Sequence, residues 1–585
     1  MKDLQKLNKY FVKYKYRFLI GIAITIASQI FTVLTPQYVG DAITTLQNFL
    51  QNELTAEATK QSLWNKILLI VGTTLLAGFL TFLMRQTIIV MSRHIEFDLK
   101  NDIYNHYQKL GQDFYKRQRT GDLMSRISED VAKVRQYVGP AIMYSINTIF
   151  RMVVVIVQMY LISPTLTWYS LIPVPLLAVL MYKLSTEVNR RSFAYQQNLS
   201  KLSSYSQEVF SGIRVIKAYT LENRERQAYD DATTESKTKF MRLAFTNALI
   251  GPLMILLIGI SNLLIVFIGA KMYINGVITE IGIIAQFILY INMLTWPIAS
   301  LGWVSTMIQE ADSSQKRINE FLNEEPSIQS NTTEKRKLVG EIEFKNVHFI
   351  YEDTKIHALN NISLSIKQGE TVAFLGKTGS GKSTVLQLIS RLYDASSGTI
   401  LVDNIDIKDW NVENLRDQIA VVPQDAFLFS DSIKNNIRFG KEDATQEEIE
   451  HFAKVADVHK NIIRFEKGYD TVLGERGMTL SGGQKQRVSI ARALIKDAPV
   501  LLLDDCLSAV DTETEERILN NLKDIAHKKT TLIVTHRVSS AKNADKIVIL
   551  NDGEVLEQGT HQQLLALNGY YTKLYNKQLA EKDAI

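Results

Sequence analysis

Residues 371–385 read Thr371-Val372-Ala373-Phe374-Leu375-Gly376-Lys377-Thr378-Gly379-Ser380-Gly381-Lys382-Ser383-Thr384-Val385. An apolar run of strand length gives way to a glycine-rich loop, and a helical pattern begins at Val385. The loop fits G-x-x-x-x-G-K-[ST] in the strand–loop–helix setting that this pattern requires. Gly376, Gly379 and Gly381 let backbone N–H groups close round phosphate oxygens, and the helix N-terminus adds a favourable dipole. Lys382 is placed to contact the β- and γ-phosphates of ATP, and Ser383 to ligate Mg²⁺. Lys377, Thr378, Ser380 and Thr384 complete the cradle. Farther on, Val500-Leu501-Leu502-Leu503-Asp504 is an apolar strand ending in an acid, which suits the second ligand of that cation.

Between these segments, Leu480-Ser481-Gly482-Gly483-Gln484 opens another helix, followed by Lys485-Gln486-Arg487. Ser-Gly-Gly at a helix start is a second nest of amides for phosphate. One triphosphate does not need two such nests in one chain. The simplest resolution is that Ser481, Gly482, Gly483 and Gln484 serve a nucleotide held by a second subunit.

Outside this region the composition changes. The 585 residues are 46% apolar and 22% charged, with a mean hydropathy of -0.02. That average is too apolar for a disordered chain and too charged for one lying wholly in a bilayer. One cysteine, Cys506, excludes an intrachain disulfide framework and a Cys-rich metal site, and it reads as a small buried hydrophobe. The average hides six mostly apolar runs, at 18–35, 67–90, 138–162, 166–184, 245–274 and 281–304. Each has about the 17–25 residues needed to cross ~30 Å of hydrocarbon. The first follows a basic cluster but lacks a small-x-small cleavage site, so it reads as an uncleaved helix.

Basic residues orient these spans. Nine Lys or Arg lie in 91–137 and ten in 185–243, whereas 163–167 has none. The basic side is cytosolic, so both termini are expected inside. The net charge of +5 therefore needs no nucleic acid to explain it. The two basic stretches hold few Gly or Pro and keep helical periodicity, as at Val209, Phe210, Ile213 and Ile216. They read as spans continued into the cytosol.

These residues resemble the ABC transporter family, specifically exporters with one six-helix domain fused to one nucleotide-binding domain. Gly376–Thr384 is similar to the Walker A loop, 500–504 to Walker B, and 480–484 to the signature motif. Gln424 resembles the Q-loop residue that also meets Mg²⁺, 508–511 the D-loop, and His536 the switch histidine. Tyr351 resembles the A-loop aromatic that stacks on adenine, and 471–477 the exporter X-loop. Residues 120–126 and 211–219 resemble the segments around the two coupling helices. The resemblance implies a six-helix transmembrane domain with long helical extensions fused to an α/β P-loop domain. The expected bounds are a cytosolic segment 1–17, a transmembrane domain 18–310, a linker 311–340 whose polar stretch is 324–340, an ATP-binding domain 341–575 and a polar tail 576–585. It also implies two ATP molecules sandwiched head to tail between two subunits.

One position departs from the family pattern. After Asp504 the family usually has the glutamate that polarises the attacking water, and this chain has Asp505. The carboxylate is one methylene shorter, and ~1 Å of misplacement costs about a hundredfold in rate. The family includes heterodimers in which one subunit carries this change with an intact signature. The expected partner is thus a second half-exporter, with a homodimer as the alternative. The expected cargo is a small amphipathic drug or lipid, moved across a bacterial cell membrane. A different class, an ATP-gated regulator or channel, is the other reading of slow hydrolysis. Arg151, Gln158, Asn247, Asn292 and Trp296 are the polar or aromatic span residues that either face cargo or join helices.

Overall fold

The structure is a computed structural model that describes residues 3–474, 477, 479–526 and 529–583. The chain divides into two units, Met1–Gln108 with Gly121–Glu324, and Lys109–Thr120 with Glu325–Ile585.

Among the described residues, six helices of the first unit's sequence are long and apolar enough to cross a membrane. They are Lys15–Leu50, Ala56–Lys109, Thr120–Ile162, Pro164–Ser211, Glu222–Ile274 and Gly282–Leu322. A bilayer core offers no water to backbone amides, so a crossing chain must satisfy them within itself, as a helix does. Their 36 to 54 residues exceed the ~20 that span hydrocarbon. The surplus continues as helix through the two basic stretches. The columns are interrupted by the short helices Gln112–Arg117 and Ile213–Ala218.

An apolar cluster that includes Val33, Val155, Met159, Phe287 and Tyr290 joins the spans. The first and sixth approach backbone to backbone: a Cβ on Gly282 would stand 2.0 Å from the Gly40 carbonyl. Small residues permit such contacts between membrane helices. Arg151 Nε donates to Gln29 Oε1 at 2.8 Å, tying the third span to the first. Asn292 and Trp296 are exposed on one face of the sixth span, one turn apart.

The third column carries two π-helical turns, Arg126–Asp130 and Tyr137–Ala141. Pro140 lies in the second and cannot donate to the helical ladder. Asp130, in the first, is 2% exposed. Arg317 of the sixth column grips both of its carboxylate oxygens, with Nε donating to Oδ2 at 2.9 Å.

The second unit contains ten described strands. They are β1 (Ile342–Ile350), β2 (His357–Ile366), β3 (Thr371–Gly376), β4 (Ser397–Val402), β5 (Ile405–Asp406), β6 (Ile419–Val422), β7 (Val500–Asp504), β8 (Thr530–Val534), β9 (Lys546–Asn551) and β10 (Glu554–Gly559). A four-stranded sheet has the order β2-β1-β4-β5, and a six-stranded sheet β10-β9-β3-β8-β7-β6. Strands β9, β3, β8, β7 and β6 are mutually parallel, and β10 closes the edge antiparallel. One core holds Phe344, Phe374, Leu388 and Trp410. Another lies under the helices Ile433–Arg438, Gln446–Val455 and Gly482–Ile495.

Two expected boundaries differ from the structure. Residues 311–322 belong to the helix Gly282–Leu322, and the segment read as a tail lies largely in the helix Tyr570–Asp583. The polar stretch 324–340 lacks periodicity because side chains, not a ladder, satisfy its backbone. Leu338 N donates to Gln418 Oε1 at 2.8 Å, and Gly340 N to Asp403 Oδ1 at 2.9 Å.

The Asp130–Arg317 pair gives a stability prediction. Arg317→Ala leaves a buried carboxylate without its partner and should cost about 1–3 kcal/mol. Thermal unfolding in detergent should show a lower midpoint, and Arg317→Ala with Asp130→Ala should recover part of the loss. A midpoint equal to wild type for Arg317→Ala contradicts this account.

Candidate active site

The strand register builds the site. In the parallel pairs, Phe374 lies opposite Val534, Val534 opposite Asp504, and Leu503 opposite Val422. The four strands therefore finish along one edge, where ligands bind in open parallel sheets. The segments leaving that edge carry Gly376–Thr384, His536, Asp504 with Asp505, and Gln424.

After β3 the backbone takes φ values that favour glycine, +151° at Gly376, +84° at Gly379 and +95° at Gly381. Side chains are excluded as well: a Cβ on Gly376 would meet the Leu550 carbonyl at 2.1 Å. Lys382, 5% exposed, donates from Nζ to the carbonyls of Gly376 (2.9 Å) and Lys377 (2.6 Å). Burial lowers its ammonium pKa, while Asp505 and Asp504 act to raise it. Ser383 Oγ donates to Asp504 Oδ1 at 2.6 Å. A hydroxyl and a carboxylate thus meet from two adjacent elements, and such oxygen donors fit a hard cation such as Mg²⁺.

Burial is the main cause that pushes the Asp504 and Asp505 carboxyls above the usual carboxylate range. Asp505 Oδ2 lies 3.8 Å from His536 Nε2. Asp505 itself has φ +44°, and its N–H donates to the Val534 carbonyl at 2.9 Å. Cys506, next in sequence, is buried. Burial pushes its thiol pKa far up, so it acts as core rather than as a nucleophile.

Tyr351 stands edge-on to Phe349, with ring centroids 4.8 Å apart. Its hydroxyl lies 3.1 Å from Thr384 Oγ1 and donates to Gln387 Oε1 at 3.0 Å. The ring is thereby fixed to the helix Lys382–Ile389 that begins at the phosphate loop. Lys116, on the helix Gln112–Arg117, lies 4.6 Å above the same ring and 5.1 Å from that of Tyr393. A cavity of about 430 Å³ opens beside them.

Ser481–Gln484 sit apart from this cluster. Ser481 Oγ accepts from Gln484 N at 3.3 Å, and Gln484 Oε1 accepts from Ser481 N at 3.0 Å, a capping box on the helix Gly482–Ile495. Among the described residues no hydrogen bond links 481–484 to 376–384. The helix instead holds the 508–511 segment, with Gln486 donating to Ser508 Oγ (3.3 Å) and accepting from Ala509 N (3.1 Å). Gln424 is exposed just beyond β6. Within 471–477, Glu475 and Arg476 lie outside the described residues.

Sequence reasoning missed Lys116 and Gln387. Lys116 was one basic residue among nine in its stretch, and no local pattern sets it apart. Gln387 lies one helical turn beyond Ser383, so helical spacing was an available signal.

Known proteins match both halves. Residues 18–298 fit the family model for the ABC transporter transmembrane region, and 359–508 that for the ABC transporter ATP-binding part, described as "ABC transporter". The multidrug resistance-like ATP-binding protein MdlA of Escherichia coli is 34% identical over 99% of this chain and 97% of that protein. The chain belongs to the ABC transporter family. The ATP-dependent lipid A-core flippase of Syntrophus aciditrophicus is 36% identical over 84% of this chain and 82% of its own length. The structure of a bacterial Atm1-family ABC exporter with ATP bound matches with a TM-score of 0.77 at 25% identity, covering 98% of each chain. This ABC transporter is an exporter. It is a multi-pass membrane protein that couples ATP hydrolysis to transport.

Two substitutions check the nucleotide geometry. Lys382→Ala removes the cation inside the phosphate loop, so photolabelling of this chain by an ATP analogue should fall strongly. Tyr351→Ala should weaken binding by less, about 1–3 kcal/mol as for base–aromatic stacking. Unchanged labelling of Lys382→Ala would count against the Walker A assignment.

Proposed function

We propose that this chain is one subunit of a heterodimeric exporter, in which its own ATP site turns over slowly and its signature completes a fast site on the partner. The observation that carries this reading is Asp505, a shortened acid in a chain whose Ser481–Gln484 segment keeps the signature pattern and its capping box. Its carboxylate is 3.8 Å from His536 Nε2, longer than a direct hydrogen bond.

In this reading Tyr351 stacks on adenine. The 376–384 loop binds the phosphates, and Lys382 meets the β- and γ-phosphates. Ser383, Asp504 and Gln424 would hold Mg²⁺, which when bound would supply positive charge against the negative charge that develops on the phosphates. Asp505 orients the attacking water, with His536 fixing the geometry beside it and Gln424 linking the site to the membrane half. Ser481, Gly482, Gly483 and Gln484 cap the nucleotide of the partner. Closure of two such sites drives alternating access, a two-state element gated by ATP.

The cargo is a small amphipathic molecule, drug or lipid, and the membrane is a bacterial cell membrane with the ATP-binding domain on the cytosolic side. The exposed Asn292 and Trp296 face of the sixth span suits such a molecule, offering one polar group beside an aromatic plane. The names of the bacterial relatives, multidrug-resistance-like and lipid A-core flippase, support the same class.

Steady-state ATPase, with and without the partner subunit, tests the assembly. In a heterodimer Asp505→Asn should lower total turnover about two- to fivefold, because the fast site belongs to the partner. In a homodimer it should abolish hydrolysis, since an amide cannot serve as the base. A loss above about a hundredfold in the two-chain complex, about 2.7 kcal/mol, excludes the heterodimer reading.

One further outcome follows from the same site. Ser481→Arg should remove most of the partner's ATPase while this chain's own loop still binds nucleotide.

A further inference from the structure

We infer that Gln578, on the C-terminal helix Tyr570–Asp583, is a positioning residue for His536, so that the last described helix of the chain helps set the hydrolysis rate at this chain's own site. The inference rests on the reading of His536 given above.

The Gln578 carboxamide makes two bonds to one loop. Its Nε2 donates to the His536 carbonyl at 2.8 Å, and its Oε1 accepts from Val538 N at 2.7 Å. A donor and an acceptor side by side on one planar group reproduce a rung of a sheet ladder, bracketing Arg537. The remaining backbone of the loop is tied inward. Thr535 N donates to the Phe374 carbonyl at 3.1 Å, and Arg537 N to Thr535 Oγ1 at 3.1 Å.

The Arg537 side chain secures the loop from the other side. It pairs with Glu515, whose side chain is 3% exposed, and donates to the carbonyls of Val510 (3.3 Å) and Ser508 (3.4 Å). The imidazole of His536 is by contrast 40% exposed, and its ion-pair distance to Asp505 is 3.8 Å. Its place is therefore set mainly by its backbone, and Gln578 holds that backbone.

The helix is built to deliver the amide there. Tyr571, Leu574, Tyr575 and Gln578 share one face at helical spacing. Tyr571 is fully buried in a cluster with Val538 and Ala541. Glu557 accepts from Tyr571 N at 3.0 Å and from Tyr570 N, fixing the helix start. From Tyr571 to Gln578 the helix is a stiff ruler of about 10 Å.

The test measures ATP hydrolysis by the full-length protein at this chain's own site. A homodimer reports it directly, and a heterodimer reports it once the partner's water-polarising acid is neutralised. Gln578→Ala should lower kcat about tenfold while KM for ATP moves by less than about twofold, the split expected when a group is misplaced but binding is retained. Gln578→Glu adds a signature that a merely structural role would not produce. Ionised, its carboxylate accepts from Val538 N but opposes the His536 carbonyl; protonated, its O–H donates to that carbonyl. Its activity relative to wild type should rise as pH falls from about 8 to about 5.5, toward the carboxyl pKa.

His536→Ala is run in parallel. If His536→Ala keeps wild-type turnover, the role of His536 fails and the inference falls with it. If His536→Ala is inactive while both Gln578 variants turn over like wild type, the inference alone is wrong. Should Gln578→Ala fail to fold, Gln578→Glu decides, and a ratio to wild type that stays flat with pH overturns the proposal.

Discussion

The in-step ending of β3, β8 and β7 is the constraint on which the proposed ATP site depends. Pairing Phe374 with Val534 and Val534 with Asp504 puts the 376–384 loop, His536 and the two acids on one edge. Side chains alternate between faces along a strand, so a slip of one residue in β7 would turn Asp504 to the opposite face. Near-continuous apolar runs, such as 500–503 and 532–534, bury these strands on both faces and resist such slips by the cost of exposing them. The packing of the sheet is therefore what makes the 2.6 Å contact of Ser383 with Asp504 reproducible.

That edge concentrates charge in a poor dielectric. Lys382 is driven toward its neutral form and Asp504 and Asp505 toward theirs, so each group by itself is unfavourably placed. The mixture is coherent for a ligand carrying several negative charges together with a divalent cation. Lys382 would then face phosphate and the carboxylates would face the cation, so that each desolvated group would acquire an opposite charge. A site of this kind is costly to assemble and responsive to its ligand, which is the requirement for nucleotide-driven domain movement.

The sequence made some parts plain and hid others, for identifiable reasons. The spans were legible because lipid demands long apolar runs, and the phosphate loop because three glycines occupy backbone angles that other residues avoid. The capping box at Ser481 and Gln484 is likewise a local rule, visible at a spacing of three. Gln578 was invisible as a contact. Its partners are backbone atoms 40 and 42 residues earlier, and a side chain bonding to backbone leaves no complementary residue to find. The end of its helix lies in the stretch 576–585, which reads as a polar tail because Asn576, Lys577 and Gln578 follow the last apolar contacts of Leu574 and Tyr575. The bonds of the stretch 324–340 to Asp403 and Gln418 were hidden for the same reason, since they join side chains to backbone across long separations.

Asp505 shows how a local backbone rule and the proposed catalytic role meet at one residue. Its φ of +44° is the left-handed region, where aspartate and asparagine are several-fold enriched because their short polar side chains relieve the clash. A longer acid gains reach toward the nucleotide and is less at ease in that backbone. The observed geometry holds the angle through the Asp505 N–H bond to Val534, so the strand end, rather than the side chain, dictates it. Shortening the acid therefore relaxes the turn while withdrawing the carboxylate. At a site that must hydrolyse quickly the withdrawal dominates, since small errors in water placement are multiplied in rate. Where nucleotide is held for long periods the relaxed turn carries no such penalty, and the chain keeps the rest of the machinery in place around it.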